Sequence, residues 1–326
     1  MPPTPPKPIV ASVVQFTPVY LKPRETADRM LQFLATAHQE RPSLVVFPEL
    51  ALSGYPNWID LNNPATAPSH TEYFREYFES ALTLESPEIK LLRTAAMDFN
   101  CVVVAGFAER PPNDKGSLFD SALAISPSGA ISVHRKLCLV KHEQLFFDRG
   151  NGSDVAPVAS TPAIIGVGIC AENWLVPYQY ALSQFQEQVH CALWVNLPRL
   201  RHIVEASSVS WAFSLGVFNL VACQFDRALG PSANCDLQFI GGSCILGPTG
   251  LPLAGPDFES ETILTAELDL AAITRASATF CLAGRDGRPD LFGHGVATFT
   301  SPAQTQPACV NLDPPPTSPA ELPAPA

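Results

Sequence analysis

The sequence predicts an α/β domain, and three observations carry that prediction. Short apolar or β-branched runs recur along the chain, and stretches with apolar residues at helical spacing fall between several of them. Over 326 positions, 46% apolar against 16% charged residues supplies enough apolar surface for a large core and excludes a disordered chain.

The elements follow in order. Residues 9–16 (IVASVVQF) are β-rich and bounded by prolines, as a buried strand is. Residues 24–40 then place Ala27, Met30, Leu31, Leu34 and Ala37 on one helical face. Residues 44–47 (LVVF) form a short strand stopped by Pro48. Ser86, Pro87 and Glu88 open a helix with a capping hydroxyl, a first-turn proline and an acid at the positive dipole end. Ile89, Leu92, Ala95, Ala96 and Phe99 then face a core, and residues 101–105 (CVVVA) follow as a strand. Strands at 121–125 and 131–134 are joined by a turn at Pro127, Ser128 and Gly129. Residues 164–169 (IIGVGI) form a strand that runs straight into Cys170. A helix across 179–187, a strand at 190–195, a helix at 208–215 and a strand at 218–223 come next. Glycine-rich turns at 241–243 and 247–250 punctuate a late β-region.

There is no internal repeat and no deep break, so one domain is expected over residues 9–300. Of the 33 prolines, 13 lie in residues 1–8 and 302–326. The ends, 1–8 and 301–326, therefore read as extended tails, the C-terminal one disordered. A net charge of −11 without a Lys/Arg run argues against nucleic acid or an anionic membrane as partner. Residues 206–225 carry no charge, but their serines, Asn219, Gln224 and central Gly216 fit a helix followed by a buried strand better than a membrane span. Nine cysteines without a CxxC pair or a leading signal segment suggest reduced thiols in a cytoplasmic protein, with neither a zinc site nor a disulfide framework.

Two strands end abruptly at a reactive side chain, the position where crevices open in α/β layers. LVVFPEL puts Glu49 just past one strand, and IIGVGIC puts Cys170 at the end of another, with Gly166 and Gly168 allowing close backbone approach. A thiol with a pKa of about 8.5 needs a base or a cation to act at neutral pH. A buried carboxylate can be that base, and a lysine can stabilise the anion formed on attack. Lys136 in HRKLCL, with Glu143 seven residues later, supplies both types. Taken singly, each has a plainer reading: a small core cysteine, a helix-capping glutamate, a solvated lysine.

The ordered set changes the reading. Glu49 in VVFPE-x-x-x-x-GYP, Lys136 in RK with Glu143 seven later, and Cys170 at a strand end before Glu-Asn resemble the nitrilase branch of the carbon–nitrogen hydrolase superfamily. Stretches outside the site agree, among them AGFAER (105–110), DRGNGSD (148–154), GGSCILGPTGLPLAGP (241–256) and GRPDLF (287–292).

The resemblance implies a four-layer α-β-β-α sandwich, and a hydrolase that turns an organic nitrile into a carboxylic acid and ammonia without metal or organic cofactor. It implies Glu49 as general base, Cys170 as nucleophile, Lys136 as stabiliser of the tetrahedral species and Glu143 as the second glutamate. Tyr55, Trp194 and Asn196 would line the substrate pocket, and Ala171 would offer a backbone N–H. Related assemblies imply a homodimer or a larger spiral, with the helix after Cys170 and the 206–225 region as candidate faces. Two departures stand out: Ala171 replaces the usual tryptophan, and the loop Leu137–His142 lacks the usual Pro and Thr. An amidase or N-carbamoyl hydrolase using the same residues, or a catalytically weak binding or filament-forming relative, stays open.

Overall fold

The computed structural model describes residues 8–56, 70–112, 114–226 and 238–292. In chain order, the first half contains β1 (Ile9–Gln15), α1 (Pro23–Ala37), β2 (Leu44–Val46), α2 (His70–Ser80), α3 (Pro87–Asp98), β3 (Val102–Glu109), β4 (Phe119–Ile125) and β5 (Ile131–Arg135). The second half contains β6 (Ile165–Ile169), α4 (Val176–Ser183), β7 (Val189–Trp194), α5 (Arg201–Leu215), β8 (Phe218–Cys223), β9 (Phe225–Asp226), β10 (Phe239–Ile240), β11 (Ser243–Leu246), β12 (Pro252–Asp257), β13 (Thr262–Leu268), α6 (Ala271–Ser277) and α7 (Pro289–Phe292).

Two large sheets and a two-stranded ribbon, β9-β10, result. One large sheet runs β13-β1-β2-β3-β4-β5 with β1-β2-β3 parallel at its centre, and the other runs β12-β11-β8-β7-β6 with β8-β7-β6 parallel along one side. Residues alternate faces along a strand, and that alternation sorts the layers. Val13, Leu44, Val46, Val102 and Val104 of the first sheet meet Val167, Cys191, Leu193 and Leu220 of the second in one core. Their neighbours Val14, Val45, Phe47 and Val103 point the other way, under Met30 and Leu34 of α1 and Ile89 and Leu92 of α3. On the far side, Tyr178 and Leu182 of α4 pack with Trp211 and Leu215 of α5. Helix, sheet, sheet and helix are the four expected layers. Both sheets are covered on both faces, which explains why their central strands read as continuous apolar runs rather than alternating ones.

Most sequence-level elements fall where expected, and the differences have local causes. The helix placed at 179–187 starts three residues earlier, at Val176 with Pro177 in its first turn, and stops at Ser183. The helix placed at 208–215 begins at Arg201, because charged residues on its outer side disguise its first turns. Ser86 precedes α3 but does not cap it with its side chain; its hydroxyl accepts from the Thr83 backbone N–H instead. Residues 206–225 are the end of α5, a left-handed Gly216 and then β8, a helix and a buried strand. Among the described residues no helix is long and apolar enough to cross a membrane. The seven described cysteines are all free thiols. The tails expected at 1–8 and 301–326 lie outside the described residues except for Pro8, as do 293–300 of the expected domain.

Candidate active site

Three strands and one short turn converge on one buried charge cluster. Glu49 follows β2 and Lys136 follows β5; Asp120 lies in β4, and Glu143 opens a short 3-10 turn after the 137–142 loop. All four side chains are fully buried. The Lys136 ammonium donates to Glu49 Oε1 at 2.5 Å, Asp120 Oδ2 at 2.9 Å and Glu143 Oε1 at 2.9 Å, so its three hydrogens are committed to three carboxylates. The carboxylate oxygens lie within 4.8 Å of one another, a nest for a cation, and the ammonium is that cation.

Backbone groups fix each acid. Glu49 Oε2 accepts from the Val195 N–H at 3.0 Å, just past β7 of the opposite sheet. Glu143 Oε2 accepts from the Val140 N–H at 2.9 Å, and its Oε1 also takes the Tyr55 hydroxyl at 3.1 Å. Tyr77 of α2 steadies the Tyr55 segment by donating to the Gly54 carbonyl at 2.9 Å.

Three acids facing one base cannot all be ionised cheaply out of water. Burial pushes the Glu49 carboxyl well above its ordinary range; Lys136 opposes the shift, and Asp120 and Glu143 add to it. Burial also lifts Asp120. The Asp120 Oδ1 atom has no donor in this arrangement. Burial pulls the Lys136 ammonium down, but Asp120, Glu143 and Glu49 outweigh it and keep lysine charged. The cluster therefore holds a fixed cation and a carboxylate of raised proton affinity, the properties of a general base.

Cys170 follows β6 with φ of 47°, a left-handed conformation that costs a cysteine about 1–3 kcal/mol and turns the chain sharply into the 3-10 turn Cys170–Trp174. Burial raises its thiol well above the ordinary value, Glu49 adds to this, and Lys136 opposes it. The thiol thus lies within the field of the cluster. It also lines a cavity of about 890 Å³, within the usual range for small-ligand sites, together with Tyr55, Leu139, Glu143, Trp174 and Val195.

A second polar network holds this turn from behind. The Glu172 carboxylate accepts from the Ile169 N–H and the Leu137 N–H, both at 2.7 Å, and so ties the cysteine turn to the residue after Lys136. His134 Nε2 sits 3.0 Å from the same carboxylate. Burial works against the imidazolium, but Glu172 and Asp154 raise its pKa to about 10. Asn173 donates to the Gly168 and Cys170 carbonyls and contacts His190, which meets Glu187. A Cβ at residue 166 would lie 1.9 Å from Glu187 Oε1, and one at 168 would lie 2.7 Å from Asn173 Oδ1, so both positions require glycine.

Glu49, Lys136, Glu143 and Cys170 therefore lie together, and Tyr55 reaches both the cluster and the cavity. Trp194 is fully buried behind Trp174, ring centroids 5.6 Å apart, and it is Trp174 that faces the cavity. Asn196 is buried and donates to the Gly241 carbonyl, while Ala171 lies buried in the cysteine turn. Asp120 was not singled out in the sequence, and Glu172 entered only through the Glu-Asn pair after Cys170, with no role assigned. The 127–129 turn held a signal for Asp120: a hairpin centred on residue 128 pairs 121 with 135 and brings 120 to 136.

The sequence model of the carbon-nitrogen hydrolase family matches residues 10–278. The chain belongs to that family. Among its relatives is Nitrilase 2 of Arabidopsis thaliana, 32% identical over 299 residues, covering 86% of each chain. An aliphatic nitrilase of Rhodococcus rhodochrous is also 32% identical over 299 residues, covering 86% of this chain and 80% of its own. The fold matches the solved carbon-nitrogen hydrolase from Helicobacter pylori G27 with a TM-score of 0.72 and 21% identity, covering 88% of this chain and 97% of that one. This carbon–nitrogen hydrolase is accordingly a nitrilase-type enzyme acting on C–N bonds.

Proposed function

We propose that the enzyme hydrolyses an organic nitrile to the carboxylic acid and ammonia, with Cys170 as nucleophile and Glu49 as base. The observation that carries this reading is the placing of the thiol in one cavity with a buried cluster that holds both a cation and a carboxylate of raised proton affinity.

Glu49 takes the thiol proton as sulfur bonds to the nitrile carbon, and returns it to nitrogen, giving a thioimidate. Water then adds to that carbon, its proton passing through Glu49 to nitrogen. Collapse expels ammonia and leaves a thioester. A second water, deprotonated by Glu49, breaks the C–S bond; acid leaves and the thiol is restored. The balance is one nitrile and two waters to one acid and one ammonia. Because the Lys136 hydrogens are all engaged by carboxylates, its part in the resting site is to hold Glu49 in place and to stand as a fixed positive charge beside the developing anion. Ala171, early in its short turn, offers a backbone N–H free of intrahelical demand.

Ammonia release across matched nitriles and amides, for wild type and Cys170→Ala, tests the reading. Release from nitriles that falls by at least about 10³-fold in the variant is expected. Release from amides alone would make the enzyme an amidase, and equal inertness of both proteins would end the enzymatic reading. The homodimer expected through α4 and α5 has support in the exposed Val176, Val209 and Phe213. An active protein that sediments as a monomer contradicts it.

A further inference from the structure

We propose that the cavity mouth selects a nitrile bearing a carboxylate at the end remote from the reacting carbon. The inference rests on the nitrilase reading and names its substrate class.

Among the described residues that line the cavity, the bases are Lys141, His142 and Arg199, and the one acid, Glu143, is fully buried. The Glu143 charge is met by the Lys136 ammonium at 2.9 Å, and its oxygens also accept from the Tyr55 hydroxyl and the Val140 N–H. Lys141 and Arg199 are exposed and pair with no carboxylate among the described residues. In a chain with 31 acids and 20 bases this is a notable vacancy of counter-charge. Arg201, two positions beyond Arg199, is paired with Glu205 at 2.9 Å.

The two bases come from separate loops, one after Lys136 and one after β7, and converge on a single rim. Burial depresses the protonation of His142; Glu143 favours it, and Arg199 lies close enough to oppose it. His142, tied to the Tyr55 hydroxyl at 3.0 Å, adds a polar contact at the same place. Between rim and thiol the walls are apolar: Leu139, Trp174, Val195 and Leu197. That sequence of surfaces suits a short methylene spacer, with a nitrile at the buried end and a carboxylate left half-solvated against a guanidinium. A planar guanidinium matches a carboxylate in geometry as well as charge, and low-dielectric walls focus the field of the rim on whatever enters. The loop concerned, 137–142, is where the sequence departs from its family's usual Pro- and Thr-rich segment.

The test compares 3-cyanopropanoate with its neutral isostere 4-methylpentanenitrile, reading kcat/KM from ammonia release. Wild type is expected to prefer the anion by about tenfold, the factor supplied by one charge-assisted hydrogen bond, and added KCl should erode the preference. Arg199→Glu and Lys141→Glu should lower the ratio of the two constants, Arg199→Glu by tenfold or more. Lys115→Glu, the same charge change at an exposed site outside the cavity lining, should leave the ratio alone. Equal use of both nitriles by wild type, or a ratio indifferent to Arg199→Glu, overturns this inference and leaves the nitrilase reading standing. Ammonia from neither nitrile, nor from any other, overturns both.

Discussion

Two buried charge clusters flank Cys170, and they differ in the proton affinity of their acids and in access. In front, Lys136 faces Glu49, Asp120 and Glu143, three acids to one base, beside an 890 Å³ cavity. Behind, the His134 imidazolium lies between Glu172 and Asp154, Glu172 also accepts from two backbone N–H groups, and none of these groups lines the cavity. Both contain more acids than bases, so neither burial nor the count of charges separates a reactive site from a structural one. The direction in which the acids are perturbed does: burial raises Glu49 and Asp120 in front, whereas behind, His134 outweighs burial and holds Asp154 below the ordinary carboxylate range. A carboxylate of raised proton affinity can take up and return a proton, whereas one held ionised only anchors. The front cluster is suited to move protons and the rear one to hold the cysteine turn against the lysine strand.

The largest expected effect comes from unbalancing the front cluster completely. Lys136→Met leaves three buried carboxylates without their cation. Breaking a buried pair on one side costs about 3–5 kcal/mol, and activity should fall by at least about 10³-fold. The stability loss has a sign that acid can reveal. Without the lysine the folded carboxylates bind protons more tightly still, so the folded state gains on the unfolded one as pH falls. Urea unfolding should therefore show a smaller deficit at pH 5 than at pH 8. A variant equally destabilised at both would show that the missing charge is not the cause.

Striking at the rear cluster should do less to chemistry and comparably much to the fold. Glu172→Gln can accept at only one of the two positions now filled by the Ile169 and Leu137 N–H groups, and its amide hydrogens would face a donor at the other. It also leaves His134 without a full counter-charge. A cost of about 3 kcal/mol in denaturant unfolding is expected. A turn that no longer presents the thiol accurately should lower kcat by about 10–100-fold with KM little changed. A variant with the wild-type kcat would show that the rear network holds the fold and nothing more.

The sequence made the front cluster more legible than the rear one, for a physical reason. Glu49 and Cys170 stand at the ends of apolar strands, so pattern alone exposes them. Lys136 and Glu143 gained meaning from their order relative to those two. Asp120 was hidden because its partnership depends on β4–β5 register, which a turn centred on residue 128 determines but a list of motifs does not. Glu172 and His134 were hidden more deeply, since a histidine two residues before a lysine gives no hint of a glutamate 38 positions on. The four layers were readable from runs and faces because strand alternation decides them locally. The true start of α5 was not: Val204 continues the buried stripe of Ser208, Trp211, Ala212 and Leu215, but Arg201, His202 and Glu205 around it mask the first turns.

The mildest test of the comparison is the pH dependence that the rear cluster should impose on stability. His134 keeps its proton in the fold up to about pH 10, whereas in the unfolded chain an imidazole releases it near 6.5. Between those values the folded protein binds a proton that the unfolded one has lost. The contribution is therefore complete below about pH 6.5 and disappears as pH rises to about 10, with a limiting slope of about 1.4 kcal/mol per pH unit. His134→Gln keeps a donor for Glu172 but removes the titration. Wild type should lose thermal stability across that window faster than the variant, so that the difference between their melting temperatures narrows as the solution becomes alkaline. Parallel curves would mean that His134 is neutral in the fold and meets Glu172 as an uncharged donor beside the two backbone N–H groups.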